Sequence, residues 1–442
     1  MWAVLAVLAA VPATAQVLPE AQGPTAEVTV QGASAAARPP TGLPRDPWQA
    51  LEASPDVEVE WRTGLDGLVA GIPSLRGLKG LARVRVLVAA AGRGADRLVV
   101  VRSEDASFGG LPLGRLEVRV ARAVGAKVAD VSVALEGPVA DASARLRADV
   151  ALDVKANRLS WGPGALEGQV DLRRLDLARL TGAFPVLALA GTVTGSAWLA
   201  GDAARPDLDL VLDVAGLAWR GEAAGALHLS WAQRGDAATV MVRWGDEADP
   251  VATMDLTLPL AVDLRAGTVA WKDAGHHAVS LAAKGLTAKR LRPLWRAPAG
   301  ADFEVDVALQ GQGTLDGFEL AGTLAGTYRA RDGAPVPVAA RLDMGPIRQS
   351  LSFDLGEGLA RAALAVDLPL VAARRSGARL EPAALAGSLD LALPLPLAAP
   401  FLASWLDRPE GILRGRVEAA GTVGSPALAG SQIGRASCRE RV

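Results

Sequence analysis

Apolar and polar residues alternate along almost the whole chain beyond residue 50. Val57, Val59 and Trp61 alternate with glutamate and arginine, and the same pattern recurs at Leu146–Val154 and Phe303–Leu309. Because successive side chains of a strand point to opposite faces, each segment predicts a β-strand with one apolar and one solvated face. Such segments recur about every 8 to 12 residues, separated by Gly, Pro or Asp, which predicts an antiparallel all-β ladder.

A few short amphipathic helices interrupt this pattern. Apolar residues fall on one helical face at Leu177–Phe184 and at Leu291–Trp295. Pro400 is expected to start a third helical turn, which carries apolar residues as far as Leu406. Each segment contains an aromatic residue, so we expect these helices to plug an open end of the β layer. A functional gate is the alternative interpretation.

A spaced glycine skeleton occurs twice in the chain. Gly191-x3-Gly195-x5-Gly201-x4-Pro206 is matched position for position by Gly411-x3-Gly415-x5-Gly421-x4-Pro426. A weaker copy begins at Gly313, 112 residues after Gly201 and 108 residues before Gly421. Self-similarity at a fixed period is typical of stacked repeats, so we predict an array with a period of about 110 residues.

Composition narrows the classes of function. Half of the 442 residues are apolar and only 4% are aromatic, while the net charge is −2. This near-neutral balance offers no electrostatic footprint for nucleic acid, and no basic run indicates a membrane-surface patch. Asparagine occurs once, at Asn157, which argues against a β-helix with stacked asparagine ladders.

The residues that could carry chemistry do not form a catalytic constellation. His276 and His277 are adjacent, and neighbouring residues of a strand face opposite ways, so they are poorly placed to share a metal ion. Two carboxylates share one strand face at Asp207–Asp209 and at Glu304–Asp306, where a solvated face is the simpler interpretation. We therefore assign no catalytic residue, no metal and no cofactor, and expect a protein that is not an enzyme.

The chain is expected to have four segments. Residues 1–15 read as a signal peptide or a partial membrane anchor, and residues 16–48 as a linker or an irregular first rung. Residues 49–432 form the continuous β-repeat region. Residues 433–442 resemble a translated sequencing adapter and are predicted to be an artefact, so the repeats are expected to continue in the natural protein.

The apolar strand faces admit two interpretations. They can be buried in a closed sandwich, or they can line a ladder bent lengthwise into an open trough that holds fatty chains. Alternation alone does not distinguish these cases. The residues predicted to face such a groove are Val57, Val59, Val84, Val86, Val118, Val120, Val150, Leu152, Val305 and Val307.

Two segments carry a family resemblance. Leu172–Leu180 leading into Leu189–Gly201, and Gly415–Gly430, resemble repeats of the TamB family of AsmA-like bridge proteins. The resemblance implies an elongated, β-taco-like open trough that is anchored in the inner membrane and crosses the periplasm. It further implies phospholipid transport to the outer membrane, assembly of outer-membrane proteins, and a TamA-like outer-membrane barrel as partner. A secreted adhesin or surface β-solenoid is the alternative.

Overall fold

The structure is a computed structural model, and it forms 26 β-strands and four short helices in the part of the chain that it describes. That part comprises residues 29–31, 55, 57–68, 77–88, 97–122, 128–153, 158–161, 165–183, 188–246, 248, 250–264, 268–272, 275–292, 295, 298, 300–314, 317–330, 333–367, 384–402 and 406–440.

The first thirteen strands are β1 Thr29–Gln31, β2 Val57–Gly64, β3 Leu78–Lys79, β4 Leu81–Val88, β5 Arg97–Phe108, β6 Leu111–Arg122, β7 Val128–Glu136, β8 Ala140–Asp153, β9 Arg158–Trp161, β10 Ala165–Asp176, β11 Leu189–Asp202, β12 Arg205–Trp219 and β13 Glu222–Arg234. The remaining strands are β14 Ala237–Gly245, β15 Pro250–Leu258, β16 Leu260–Asp263, β17 Thr268–Trp271, β18 His277–Thr287, β19 Ala301–Gly313, β20 Glu319–Ala330, β21 Val336–Met344, β22 Arg348–Leu355, β23 Ala360–Asp367, β24 Ala384–Pro394, β25 Leu406–Thr422 and β26 Ser425–Glu440. The helices are α1 Leu65–Leu68, α2 Leu177–Ala183, α3 Ala288–Leu291 and α4 Leu395–Leu402.

The chain divides into two compact units. Unit 1 comprises Met1–Gly216, Ser230–Asp236 and Ala261–Ala270, and unit 2 comprises Leu217–Leu229, Ala237–Leu260 and Trp271–Val442. In unit 1, strands β2, β4, β5, β6, β7, β8, β10 and β11 pair antiparallel in that order. In unit 2, β14, β15 and then β18 to β26 do the same. The predicted open, antiparallel all-β ladder is confirmed.

One face of unit 1 is a packed apolar core. Residues opposite one another on successive strands form a lateral row, here called the valine row, of Trp61, Val84, Val101, Val118, Val133, Ala144, Val170 and Ala197. Most of these side chains belong to one buried cluster, and Val84 is 0% exposed. The strict alternation in the sequence therefore builds a dry, continuous row that stabilises this unit.

The opposite face of unit 1 is charged. Glu117 on β6 accepts hydrogen bonds from Arg102 (2.9 Å) and Arg119 (2.6 Å), and Arg85 pairs with Glu58 at 2.7 Å. Burial raises the pKa of Glu117, but these arginine hydrogen bonds outweigh burial and lower the pKa overall. The face is not uniformly polar, since Leu87 and Leu98 are buried on it in a small apolar cluster.

The four helices mark the same repeat as the glycines do. They begin at Leu65, Leu177, Ala288 and Leu395, so successive starts are 112, 111 and 107 residues apart. In unit 2, the pairing order from β18 to β24 advances six strands between α3 and α4. Because neighbouring strands run in opposite directions, an even number of strands between the helices places both at the same edge of the sheet, meaning the edge formed by the strand ends.

The sequence misplaced two helices and missed another. The helix predicted at Leu291–Trp295 lies earlier in the chain, because α3 comprises Ala288–Leu291. The prediction that Pro400 starts a turn is wrong, because α4 begins at Leu395 and contains Pro400. Pro396 occupies the first turn, where a missing N–H costs nothing, and this explains the earlier start. Helix α1, which buries Leu65, was not predicted, because its four residues are too few to show a helical period.

The glycine skeleton has the same backbone conformation in its copies. Gly191 and Gly411 have φ of 130° and 110°, and Gly201 and Gly421 have φ of 94° and 101°. The weaker copy also fits, since Gly313 has φ of 138° and a Cβ there would lie 2.2 Å from the carbonyl oxygen of Gly317. These positions require glycine because L-residues rarely adopt such angles.

The predicted terminal segments fall mostly outside the described residues, among them the predicted signal or anchor at 1–15. Within 16–48, β1 pairs with β2, so that Val30 lies opposite Val59. At the other end, β26 continues through Glu440 and pairs with β25. Any sequence can contribute backbone pairs, so this pairing does not test whether residues 433–442 are an artefact.

Candidate apolar binding face

Unit 2 carries two lateral apolar rows that run across its strands. The first, here called the leucine row, consists of Leu281, Leu309, Gly322, Leu342, Leu351, Leu364, Gly387, Ala419 and Leu428. The second row consists of Ala283, Val307, Leu324, Ala340, Phe353, Ala362, Leu389 and Val417. Neither row contains a side chain that can hydrogen-bond or carry charge, so the face they form offers only apolar contact.

This face becomes more exposed along unit 2. Ala283 and Val305 are 5% and 8% exposed near α3, whereas Leu351 and Leu364 are 46% and 44% exposed. Leu428 reaches 69%. An exposed run of apolar side chains on one sheet face is typical of a surface that binds a partner or a ligand.

Small residues shape the floor of the face. A Cβ on Gly322 would lie 2.8 Å from Leu309 Cδ1 and 3.6 Å from Leu342 Cβ. A Cβ on Gly387 would lie 3.4 Å from Leu364 Cδ1. Leucine side chains thus cover the glycines on neighbouring strands, and a larger residue at either glycine would have to displace them.

The residues predicted to face a groove lie in two different environments. Val84, Val86, Val118 and Val120 belong to the packed cluster of unit 1, while Val305 and Val307 belong to the apolar face of unit 2. Val59 lies opposite Val86 and is partly buried. The side chains of Val57, Val150 and Leu152 lie outside the described residues. A packed core and a lipid groove place the same residues on the same face, so the groove assignment remains a prediction.

Sequence reasoning missed the residues that are most accessible. Leu351, Phe353, Leu364, Val417 and Leu428 are all between 37% and 69% exposed on the apolar face. Their alternation with polar residues was visible in segments such as Ser350–Leu355. What the alternation did not show was which of the apolar faces is covered, since that depends on packing beyond the strand itself.

An aromatic row borders the apolar face at its helix-bearing edge. We define it as Trp295, Phe303, Tyr328 and Phe401. The Trp295 and Phe303 rings are 5.8 Å apart, Phe303 lies opposite Tyr328 on the neighbouring strand, and the Tyr328 and Phe401 rings are 6.0 Å apart. The Tyr328 hydroxyl donates a hydrogen bond of 2.8 Å to the carbonyl of Leu397 and so ties α4 to the sheet. Trp295 and Phe401 are 48% and 54% exposed.

The polar face of the same strands holds a shallow depression. It has a volume of about 430 Å³ and is lined by residues that include Arg341, Ser352, Arg361 and Ser388. The arginines there are engaged, since Arg341 pairs with Asp343 at 2.7 Å and Arg361 with Asp354. This depression therefore presents neutralised charge.

The histidines and paired carboxylates occupy ordinary structural positions. His277 is buried at the start of β18, stacked on Trp271 with ring centroids 5.0 Å apart, whereas His276 is exposed. Asp209 accepts hydrogen bonds from Arg234, and Glu304 lies on a solvated strand face. Within the described ranges, no three His, Cys, Asp or Glu side chains come together as a candidate metal site.

Helices of the described residues are all too short or too polar to cross a bilayer. A comparison with known protein families, with curated proteins and with solved structures finds no match to this chain. The fold and the apolar face therefore define the class directly: an open antiparallel β-repeat protein with a partly uncovered apolar sheet face.

Proposed function

We propose that this chain is a non-enzymatic lipid-binding protein whose apolar sheet face holds phospholipid acyl chains. The leucine row is the observation that carries this proposal. It crosses nine strands without a polar side chain. An occupant that needs hydrogen bonds finds no partner there, while a flexible hydrocarbon chain loses only contact with water.

The exposure of this face favours a flexible lipid over a rigid second protein layer. A rigid sheet packs well only when the opposing side chains interdigitate at close to interior density. Leu351, Leu364 and Leu428 are 44% to 69% exposed. Flexible acyl chains can adapt to these side chains, since each buried methylene contributes about 0.8 kcal/mol wherever it finds contact.

The biological role that we propose follows from the resemblance to the TamB family. The chain would act in the periplasm of a Gram-negative envelope, anchored in the inner membrane, as a bridge that carries phospholipid to the outer membrane. Assembly of outer-membrane proteins with a TamA-like barrel is the accompanying role. The period of 107 to 112 residues between helices supports a repeat architecture suited to a bridge.

The test is to purify the full chain from bacterial membranes and periplasm and to identify co-purified lipid by mass spectrometry. We expect phospholipid in a defined molar ratio that survives gel filtration. A lipid-free protein that also fails to take up a fluorescent fatty acid would refute the proposal. Binding to cells or glycans by such a lipid-free protein would instead favour an adhesin.

A further inference from the structure

Helix α4 contacts a strand that is not its neighbour in the sheet. It follows β24 directly in the chain, yet it also contacts β20, four strands away in the pairing order. The Tyr328 hydroxyl of β20 donates a hydrogen bond of 2.8 Å to the Leu397 carbonyl, and the Tyr328 and Phe401 rings are 6.0 Å apart. Tyr328 is on the same face of β20 as Leu324 of the second row. Helix α4 therefore lies over the apolar face, across the strand ends.

The contact between α4 and the sheet is apolar. None of the eight side chains of α4 can hydrogen-bond or carry charge, and Leu395 is buried. Ala330, two residues beyond Tyr328 on the same face, is buried as well. By contrast, Leu351 and Leu364 are exposed in the middle of their strands. The apolar face is thus covered where α4 lies and open farther along the strands.

Helix α4 is weakly stable by itself. It has eight residues, and isolated helices shorter than about 12 to 15 residues are marginal in water. Pro400, in its interior, has no N–H to donate to the carbonyl of Pro396, four residues earlier. The helix therefore depends on its contacts with the sheet, among them the hydrogen bond from Tyr328. A competitor for the same surface can displace it.

We propose that α4 is a lid, which occupies the helix-bearing end of the apolar face until acyl chains displace it. Its side chains have the same apolar chemistry as a hydrocarbon chain, so the two compete for the surface beneath. This inference rests on the proposed lipid-binding function and adds a regulatory contact to it. Bound lipid gains the apolar surface that α4 covers, including Ala330 and the ring of Tyr328.

The competition has a quantitative consequence. The apparent dissociation constant for lipid is the intrinsic one divided by the fraction of molecules in which α4 is displaced. Loss of one hydrogen bond changes such an equilibrium by about two- to tenfold. Weakening the attachment of α4 should therefore tighten lipid binding, and fixing α4 to the sheet should weaken it.

A crosslink that holds α4 in place tests the lid directly. A Cβ on Gly333, which follows β20, would lie 3.9 Å from Leu397 Cδ2. A G333C/L397C variant can therefore be joined by a short thiol crosslinker, in a C438S background because Cys438 is the single cysteine of the chain. We expect the crosslinked full chain to bind a fluorescent fatty acid about fivefold more weakly, or weaker still, than the same variant before crosslinking. A matched crosslink in S352C/A363C, between cross-strand partners on the polar face, should leave the affinity unchanged.

Two further measurements leave α4 free to move. Y328F retains the ring and removes the hydrogen bond, so it should tighten fatty-acid binding by about two- to tenfold although it lowers stability. S352A, which removes a hydroxyl from the polar face, should not change this binding. In the native chain, the α4 amides should exchange hydrogen faster when phospholipid is bound. A helix with a purely structural role would exchange at the same rate or more slowly.

The outcomes separate the lid from the proposed function. Unchanged affinity after crosslinking, binding by Y328F that is no tighter than that of the native chain, or slower exchange of α4 with lipid would overturn the lid and leave the proposed function standing. Absence of fatty-acid binding by the native chain, by Y328F and by the cysteine variant before crosslinking would overturn both.

Discussion

The most direct test of the apolar face changes two leucines that lie opposite each other. Leu351 and Leu364 are cross-strand partners in the leucine row. The double substitution L351K/L364D places opposite charges there, so that the two new side chains attract each other. A matched pair lies on the other face of the same two strands, because Ser352 and Ala363 are also cross-strand partners.

The effect on stability should be moderate and should not prevent folding. The leucines are 46% and 44% exposed, so each has about half of its surface buried. Full burial of leucine contributes roughly 1.5 to 3 kcal/mol, and losing half of it costs about 1 kcal/mol per site. The variant should therefore fold, with a lower urea midpoint and an unchanged dependence of unfolding on urea concentration.

The effect on lipid should be large. The pair spans one strand spacing of about 4.8 Å, which brings about four methylenes of an acyl chain into contact at about 0.8 kcal/mol each. Their loss lowers affinity on the order of a hundredfold. Co-purified phospholipid, quantified by mass spectrometry, should disappear from L351K/L364D and persist in S352K/A363D. Equal lipid content in the two variants would refute the assignment of the apolar face.

Three further predictions concern the fold. V118A removes two methyl groups from a site that is 2% exposed and should lower the free energy of unfolding in urea by about 2 kcal/mol without changing lipid content. E117Q should flatten the pH dependence of stability. The lowered pKa of Glu117 means that its carboxylate stabilises the fold above its ordinary value of 4.5, and this contribution is lost as pH falls through the folded-state value. Urea midpoints from about pH 6 to about pH 3 should thus fall further for the native chain than for the variant. G313A forces a Cβ to within 2.2 Å of a backbone oxygen at positive φ, and should cost several kcal/mol by thermal unfolding, more than G317A in the adjoining turn.

The sequence was sufficient to predict the fold class, because side chains of a β-strand alternate between its two faces and the apolar residues of this chain follow the same period of two. Val84, Val118 and Val305 each lie on the apolar face that alternation predicts. The glycine copies, from which the repeat was predicted, share a backbone conformation, since Gly201 and Gly421 both have a positive φ. These features depend on neighbouring residues alone, because steric clashes within the backbone restrict the conformations that each residue can adopt.

The candidate site was less predictable, because it depends on contacts between distant segments. Tyr328 and Leu397 are 69 residues apart, and their hydrogen bond places α4 at the edge of the sheet. The aromatic row joins Trp295 to Phe401 across three elements, with no common spacing in the sequence.

Burial separates what holds the chain together from what can bind lipid. The valine row of unit 1 is dominated by β-branched residues on consecutive strands and is almost wholly buried. The leucine row of unit 2 combines leucine with glycine and alanine and remains partly exposed. A ligand-binding surface must stay accessible in the folded state, whereas a stabilising core must not. Substitutions in the valine row should therefore lower stability without changing lipid content, whereas substitutions at Leu351 and Leu364 should remove the lipid at a comparable cost in stability. If valine-row substitutions of equal cost also removed the lipid, the lipid would be a structural component of the fold, and the two rows would have to be assigned one common function.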